Sequence, residues 1–348
     1  MKLPRARMAS ALNLAAPLVA VLAALAVGAV FIASIGEAPL EIYALMFHEA
    51  FGTGYGLGQT LFKTTPLLFT GLAVSLAFRA GLFNIGVESQ MYLGGLAAAL
   101  VGSYVALPGV LLLAASLLAA ALAGSAWAAI PGALKARFGS HEVINTIMLN
   151  FIALSLVAWV GRGLFEAATV RTLEVAPAAW LPRLDGVLPA LHGAPANVSL
   201  LLGLLLALGV GVLLFRTRLG FDLRALGLNA PAAQAAGVAI GRTQILAMGL
   251  SGAIAGLGGV NFVLGYKHYF ELEFTGGAGF IGIAVALLGR NHPLGVLLAA
   301  LFFGGLSHGA LVINQRVPRE LVNVLQGLVI LFAISAQALA ARLGRRWA

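Results

Sequence analysis

Arg79, Asn84, Glu88 and Gln90 are strongly polar residues inside an otherwise apolar stretch, Gly71 to Gly95, that reads GLAVSLAFRAGLFNIGVESQMYLGG. Gly81 and Gly86 lie in the gap between its two apolar runs. A carboxylate at mid-membrane costs on the order of 2.5–3.5 kcal/mol on insertion scales, so Glu88 should face a cavity or a partner. Two arrangements satisfy it: a broken helix lining a translocation path, or a tight turn at the membrane surface with Glu88 paired or solvated. A second segment, GSHEVINTIMLNFIA from Gly139 to Ala153, places Glu142 in a first helical turn, where a carboxylate suits the helix dipole. Its amides, Asn145 and Asn150, are five residues apart and do not share one helix face well, and Asn145 is taken as the one directed at a solute. Asn261, His308, Asn323 and Gln326 are further polar residues in apolar runs, suited to bonds between helices. Asn84, Glu88, Gln90, Asn145, Asn261 and Asn323 are the candidate substrate-path residues.

Other chemistries find no support. Gly277, Gly279 and Gly282 match G-x-G-x-x-G, but that spacing cradles a dinucleotide only between a strand and a helix. Here it lies between apolar runs and reads as a glycine-rich helix start, followed by a turn at Arg290–Pro293. No G-x-x-x-x-G-K-[ST] is present, so the chain should not hydrolyse ATP itself. The six histidines are scattered and cysteine is absent, which leaves no metal cluster, disulfide or thiol chemistry to expect. No catalytic cluster is visible either. Asp185 and Asp222 fall in loops, whereas a proton-coupled carrier more often places several carboxylates within its helices.

The elements that hold these residues follow from composition. Of 348 residues 61% are hydrophobic and only 9% charged, against roughly 25% charged in soluble domains. A mean hydropathy of +0.99 agrees. A soluble enzyme, a nucleic-acid-binding module and a disordered chain are excluded. Continuous apolar runs near 20 residues specify helices rather than a barrel, and the 44 glycines suit close helix packing. The chain reads as an all-α polytopic membrane protein. Spans are expected near 14–35, 57–78, 84–104, 109–134, 142–162, 198–215, 244–264, 276–289, 294–312 and 321–340. The first run is longer than a signal-peptide core and lacks a small-residue cleavage site, so it is read as an uncleaved span. The eighth is short for a full crossing.

The net charge of +9 is read as an orientation signal rather than as a nucleic-acid footprint. Ten spans with both termini cytoplasmic put twice as many Lys and Arg inside as outside, including Lys2, Arg5, Arg7, Arg342, Arg345 and Arg346. Eight spans is the alternative even count. Ten divide as five and five, the arrangement of an inverted repeat. An extracytoplasmic loop, 163–197, carries Pro177, Pro182, Pro189 and Pro195, which argue against a long helix there. A cytoplasmic loop, 216–243, holds a short helix that Asn229 can cap, Pro231 can open and Gly237 can end.

Four ordered motifs carry a family likeness. FRAGLFNIGVESQ at 78–90 resembles FRAGLFNIGAEGQ, and EVINTIMLNFIA at 142–153 resembles EVISTLMLNYIA, both patterns of bacterial ATP-binding-cassette (ABC) importer permeases. LGFDLRALGLNAPAAQAAGV at 219–238 and IAVALLGRNHPLG at 283–295 are also similar. The likeness spans about residues 56 to 330 and lies within the branched-chain amino acid and simple-sugar permease superfamily, nearest the nucleoside and simple-sugar branch. Ser89, Asn145 and His292 depart from its patterns, where glycine, serine and asparagine are usual.

The resemblance implies a permease subunit in a bacterial inner membrane that works by alternating access, with no cofactor of its own. A cytosolic ATPase subunit would bind ATP and Mg, a second related permease would pair with this chain, and an extracytoplasmic binding protein would deliver a nucleoside or simple sugar. Branched-chain amino acids or another small polar solute are the alternative cargo, and an ion-coupled secondary carrier the alternative mechanism. The 216–243 loop would then couple to the ATPase through Asp222, Arg224, Asn229, Pro231, Gln234 and Gly237. Phe83 and Phe151 are rings that would suit a nucleoside.

Overall fold

The computed structural model describes residues 3–347. Lys2 lies outside the described residues, as do the side chains of Arg5, Arg7, Arg342, Arg345 and Arg346. The helices are α1 (Leu3–Ser34), α2 (Pro39–Phe47), α3 (Gly54–Arg79), α4 (Val87–Tyr104), α5 (Gly109–Phe138), α6 (Glu142–Gly161), α7 (Ser199–Arg216), α8 (Arg218–Leu228), α9 (Ala230–Ala235), α10 (Ile240–Gly258), α11 (Val260–Val263), α12 (Ala278–Leu288), α13 (Pro293–Val312) and α14 (Arg319–Trp347). Among the described residues there are only isolated β-bridges and no named strand.

A helix lies in each of the ten stretches marked by hydropathy. Seven are long and apolar enough to cross a membrane, within α1, α3, α5, α6, α7, α10–α11 and α13. Shorter apolar helices lie at Ala278–Leu288 and Glu320–Ala336. α4 opens on Glu88, Ser89 and Gln90, which dilute its apolar character. The expected run 244–264 breaks after Gly258 into α10 and α11. Two helices differ from expectation. α2 forms in the link after the first run, where Pro39 supplies a ready first turn. The 216–243 segment holds two helices, because Thr217 caps α8 by accepting from the Gly220 amide at 3.1 Å.

α3 is the central helix and packs against α13, α12, α10 and α7. In its apolar window 78% of residues are buried, against 22% in α5 and α6. Those outer helices, with α7, present Val110, Leu118, Leu122, Phe151, Leu205 and Leu208 outward, the surface a hydrocarbon solvent favours. α4, α5 and α10 cross in near-backbone contact: a Cβ on Gly94 would lie 2.4 Å from Gly256 Cα, and one on Gly256 2.2 Å from the Ala120 carbonyl oxygen.

The two long connections lie at opposite ends of α3. Gly54 and Gly58 abut Ala190 and Ala194, whereas Gly81, just past its other end, abuts Gly227. The 163–197 segment, whose Pro177 and Pro189 start single 3-10 turns, pairs with the stretch after α11. Thr172 donates to the Phe270 carbonyl at 2.9 Å, Val175 to His268 at 2.7 Å and Leu181 to Leu264 at 2.9 Å. This layer covers one end of the bundle.

Candidate functional site

Two short helices begin inside the bundle. After α3, the Leu82 and Gly81 amides donate to the Ala77 and Phe78 carbonyls at 3.0 Å each, and Gly81 takes φ +71°, which ends the helix sharply. The chain then turns back inward. Asn84 Nδ2 donates to Ser251 Oγ at 2.9 Å, and Ser251 Oγ donates to the Ala73 carbonyl at 2.7 Å. Asn84 and Gln90 bond reciprocally through their amides at 2.9 and 3.0 Å. α4 therefore starts in the interior. α12 does the same after Gly276 and Gly277, both at positive φ, and Thr70 Oγ1 donates to the Ala278 carbonyl at 3.1 Å. Glu88 accepts from Thr275 Oγ1 at 2.5 Å, the Gly277 amide at 3.1 Å and the Gly279 amide at 2.6 Å. A carboxylate thus satisfies amides that the first turn of α12 leaves open. Gly71–Gly95 thus divides into two helices, α3 and α4, joined by a sharp turn, with Glu88 paired to protein donors.

Beside this junction lies a cavity of about 200 Å³. Its walls are Phe62, Lys63, Pro66 and Leu67 of α3, Asn261 and Phe262 of α11, Phe274 to Gly276, Ala278 and Ile281 of α12, Ser307 and Leu311 of α13, and Asn323 and Gln326 of α14. Phe262 and Phe274 stack with centroids 5.2 Å apart. Gln326 Nε2 donates to Ser307 Oγ at 3.2 Å. Asn261 is largely committed: its Oδ1 accepts from Asn197 Nδ2 at 3.1 Å and Ser199 Oγ at 3.0 Å, and its Nδ2 donates to the Phe62 carbonyl at 3.3 Å.

The candidate path residues therefore separate. Asn261 and Asn323 line the cavity. Asn84, Glu88 and Gln90 stand behind it: Asn84 and Gln90 bond each other, and Glu88 accepts from Thr275, which is itself a wall residue. Asn145 does not reach it; its Nδ2 donates to Ser140 Oγ at 2.6 Å at the start of α6. The inward amide of α6 is Asn150, which donates to the Ile85 carbonyl at 3.1 Å and accepts from the Ser89 amide at 3.2 Å. This reverses the order expected of the pair, because position 150 shares the buried stripe of Glu142, Thr146, Ala153 and Val157. Phe151 points outward, and Phe83 lines a separate cleft of about 460 Å³ with His141, Glu142 and Asn291. Lys63 was not among the candidates. Its signal was a lysine inside the run 57–78, where an ionisable residue is by default a functional hypothesis. Phe274 and Thr275 gave no comparable signal, since nothing local places them in a wall.

At the 216–243 end, Asn229 caps α9 by accepting from the Ala232 amide at 3.0 Å, with Pro231 in the first turn. Gly237 ends it at φ +87°, with Val238 donating to the Ala233 carbonyl at 3.0 Å. Pro231, Gln234 and Gly237 are exposed, and Leu228 is 87% exposed. Asp222 and Arg224 are half-buried on α8. The guanidinium carbons of Arg224 and Arg79 both sit 5.6 Å from the Phe215 ring centroid. Among the described residues no group of three or more His, Asp or Glu could hold a metal ion.

Comparison with known proteins adds the following. Residues 56–334 match the family described as branched-chain amino acid transport system / permease component. The guanosine ABC transporter permease protein NupP of Bacillus subtilis is 39% identical over 341 residues, covering 96% of each chain. The glucose ABC transporter permease protein TsgB13 of Haloferax volcanii is 38% identical over 343 residues, 96% of this chain and 90% of its own. A second Bacillus subtilis protein, the guanosine ABC transporter permease protein NupQ, is 28% identical over 301 residues, 82% of this chain and 91% of its own.

Proposed function

This chain belongs to the permease-component family of branched-chain amino acid transport systems, and from that premise we propose how it carries its solute and which solute that is. It is a multi-pass membrane protein, the permease subunit of an ABC importer. Its cargo is a nucleoside, with a simple sugar as the second reading. The observation that carries the first is the cavity wall: the Phe262–Phe274 stack offers a face to a base, while Asn323, Gln326 and Ser307 offer donors and acceptors without a carboxylate. The sugar reading is supported by the glucose permease protein among its relatives.

Ten spans lie in a bacterial inner membrane with both termini in the cytoplasm, the 163–197 layer outside and α8–α9 inside. The positive-inside bias supports this orientation. α4 and α12 are the third spans of the two five-span halves, and their N-terminal ends meet. Interrupted helices in matching positions are a mark of inverted repeats. A cytosolic ATPase holds ATP and Mg, and this chain takes no cofactor. An extracytoplasmic binding protein delivers the solute. A related permease completes the pair, as the names of NupP and NupQ in one bacterium suggest.

ATP shifts the pair between outward- and inward-open states only by as much as it favours one over the other. Asp222, Arg224, Asn229, Pro231, Gln234 and Gly237 form the surface on which the ATPase acts. Among the path residues, Asn323 and the Phe262–Phe274 pair meet the solute, and Asn84, Glu88, Gln90 and Asn261 support the wall. Uptake of labelled guanosine and glucose into vesicles holding the complete importer tests this reading. Asn323→Ala should raise KM for guanosine about tenfold, the cost of one or two hydrogen bonds, with assembly intact. Saturable glucose uptake unaffected by excess guanosine would refute the nucleoside reading in favour of the sugar.

A further inference from the structure

We infer that the segment from Arg79 to Glu88 is a clamp that holds α12 at both poles and carries movement from the 216–243 end to the cavity wall. Arg79 and Glu88 are then positioning residues that never touch the solute, and the inference rests on the transport reading above. α12 has eleven residues, a rod of about 16 Å. At its N-terminal pole Glu88 accepts from Thr275, Gly277 and Gly279. At its C-terminal pole Arg79 Nε donates to the Asn291 carbonyl at 2.9 Å. One short segment thus sets an anion at the positive end of a helix and a cation at the negative end. The N-terminal joint is tight: a Cβ on Gly279 would lie 2.5 Å from both Glu88 Cα and its backbone nitrogen. α12 cannot slide past α4 without breaking three bonds to a buried carboxylate.

The clamp also meets α8. A Cβ on Gly81 would lie 3.0 Å from Gly227 Cα, and one on Gly227 2.3 Å from the Arg79 carbonyl oxygen. Arg79 and Arg224 share the Phe215 ring. A single extended residue, Asn229, joins α8 to α9. A push on α9 therefore reaches the Arg79–Gly81 turn within one helix length. The turn moves α12 as a body, and at its far pole Thr275, Gly276, Ala278 and Ile281 are cavity wall.

The test uses the complete importer in vesicles, with Ile281→Cys as the single thiol in a chain that has no native cysteine. In that chain ATP should change the rate of maleimide labelling at least about threefold, as a shift between two populated states does. With Glu88→Gln or Arg79→Gln added, labelling should become indifferent to ATP. Uptake should fall about tenfold or more, as loss of a charged hydrogen bond allows, while ATP hydrolysis continues. Thr275→Val removes one donor and leaves the carboxylate and two amides, so it should give an intermediate loss. If Glu88→Gln fails to assemble, Arg79→Gln and Thr275→Val carry the same test. An ATP response that survives in the variants that assemble overturns the clamp, since packing alone predicts that result. If the Ile281→Cys importer neither responds to ATP nor takes up solute, while the unmodified importer also fails, it is the transport reading that falls.

Discussion

Single side chains in this protein divide into those whose partners are near in sequence and those whose partners are far. Asn229, Pro231 and Gly237 belong to the first kind, and their roles as cap, first turn and stop could be read from the sequence because each acts within about one turn of its own position. Glu88 belongs to the second: its donors lie 187 to 191 residues away, so its burden was legible but not its partners. The same distance hid Phe274 and Thr275 from the candidate site. His268 lies further out, in the layer over the 163–197 end, where it stacks on Trp180 with ring centroids 3.9 Å apart. Burial, with Arg183 nearby, holds its pKa below the ordinary 6.5. As pH falls below about 6.5, the unfolded layer binds a proton that the folded layer resists, so folding weakens on the acid side and is unaffected above it. With exchange rates corrected for the intrinsic pH dependence of amide exchange, protection of amides in 170–181 should fall between pH 7.5 and 5.5, and His268→Gln should remove most of that fall.

Among the elements, the long apolar helices were legible because hydropathy over 20 residues is a local sum, and every one of the ten stretches contains a helix. Elements that depend on neighbours were not. α2 and α8 are short, and the break between α10 and α11 sits where Gly258 and Gly259 press against α3 and α4, a contact that no local pattern announces. α9 makes the sharpest prediction at this scale. Gly237 holds a left-handed conformation that costs other residues about 1–2 kcal/mol and β-branched ones more. Gly237→Val should leave insertion and assembly unchanged while separating ATP hydrolysis from uptake. Equal loss of both activities would place the fault in ATPase binding instead, and full uptake would remove α9 from the coupling surface.

For the molecule as a whole, α3 is the central strut, and its two ends meet the two long connections. The 190–194 stretch meets one and Gly227 the other. Single cysteines at 185 and 230 in this cysteine-free chain should react with an impermeant maleimide from outside and from the cytosol respectively. Reaction of both from one side would defeat the ten-span topology that hydropathy and charge bias support. Lys63 sets a last condition on the cavity it lines. Any hollow through an energised membrane is also a route by which small ions can discharge it. On the transport reading proposed above, a lysine on that wall would disfavour sodium, potassium and hydronium without obstructing an uncharged passenger. That reading would let the cell admit a neutral nutrient without spending its own voltage.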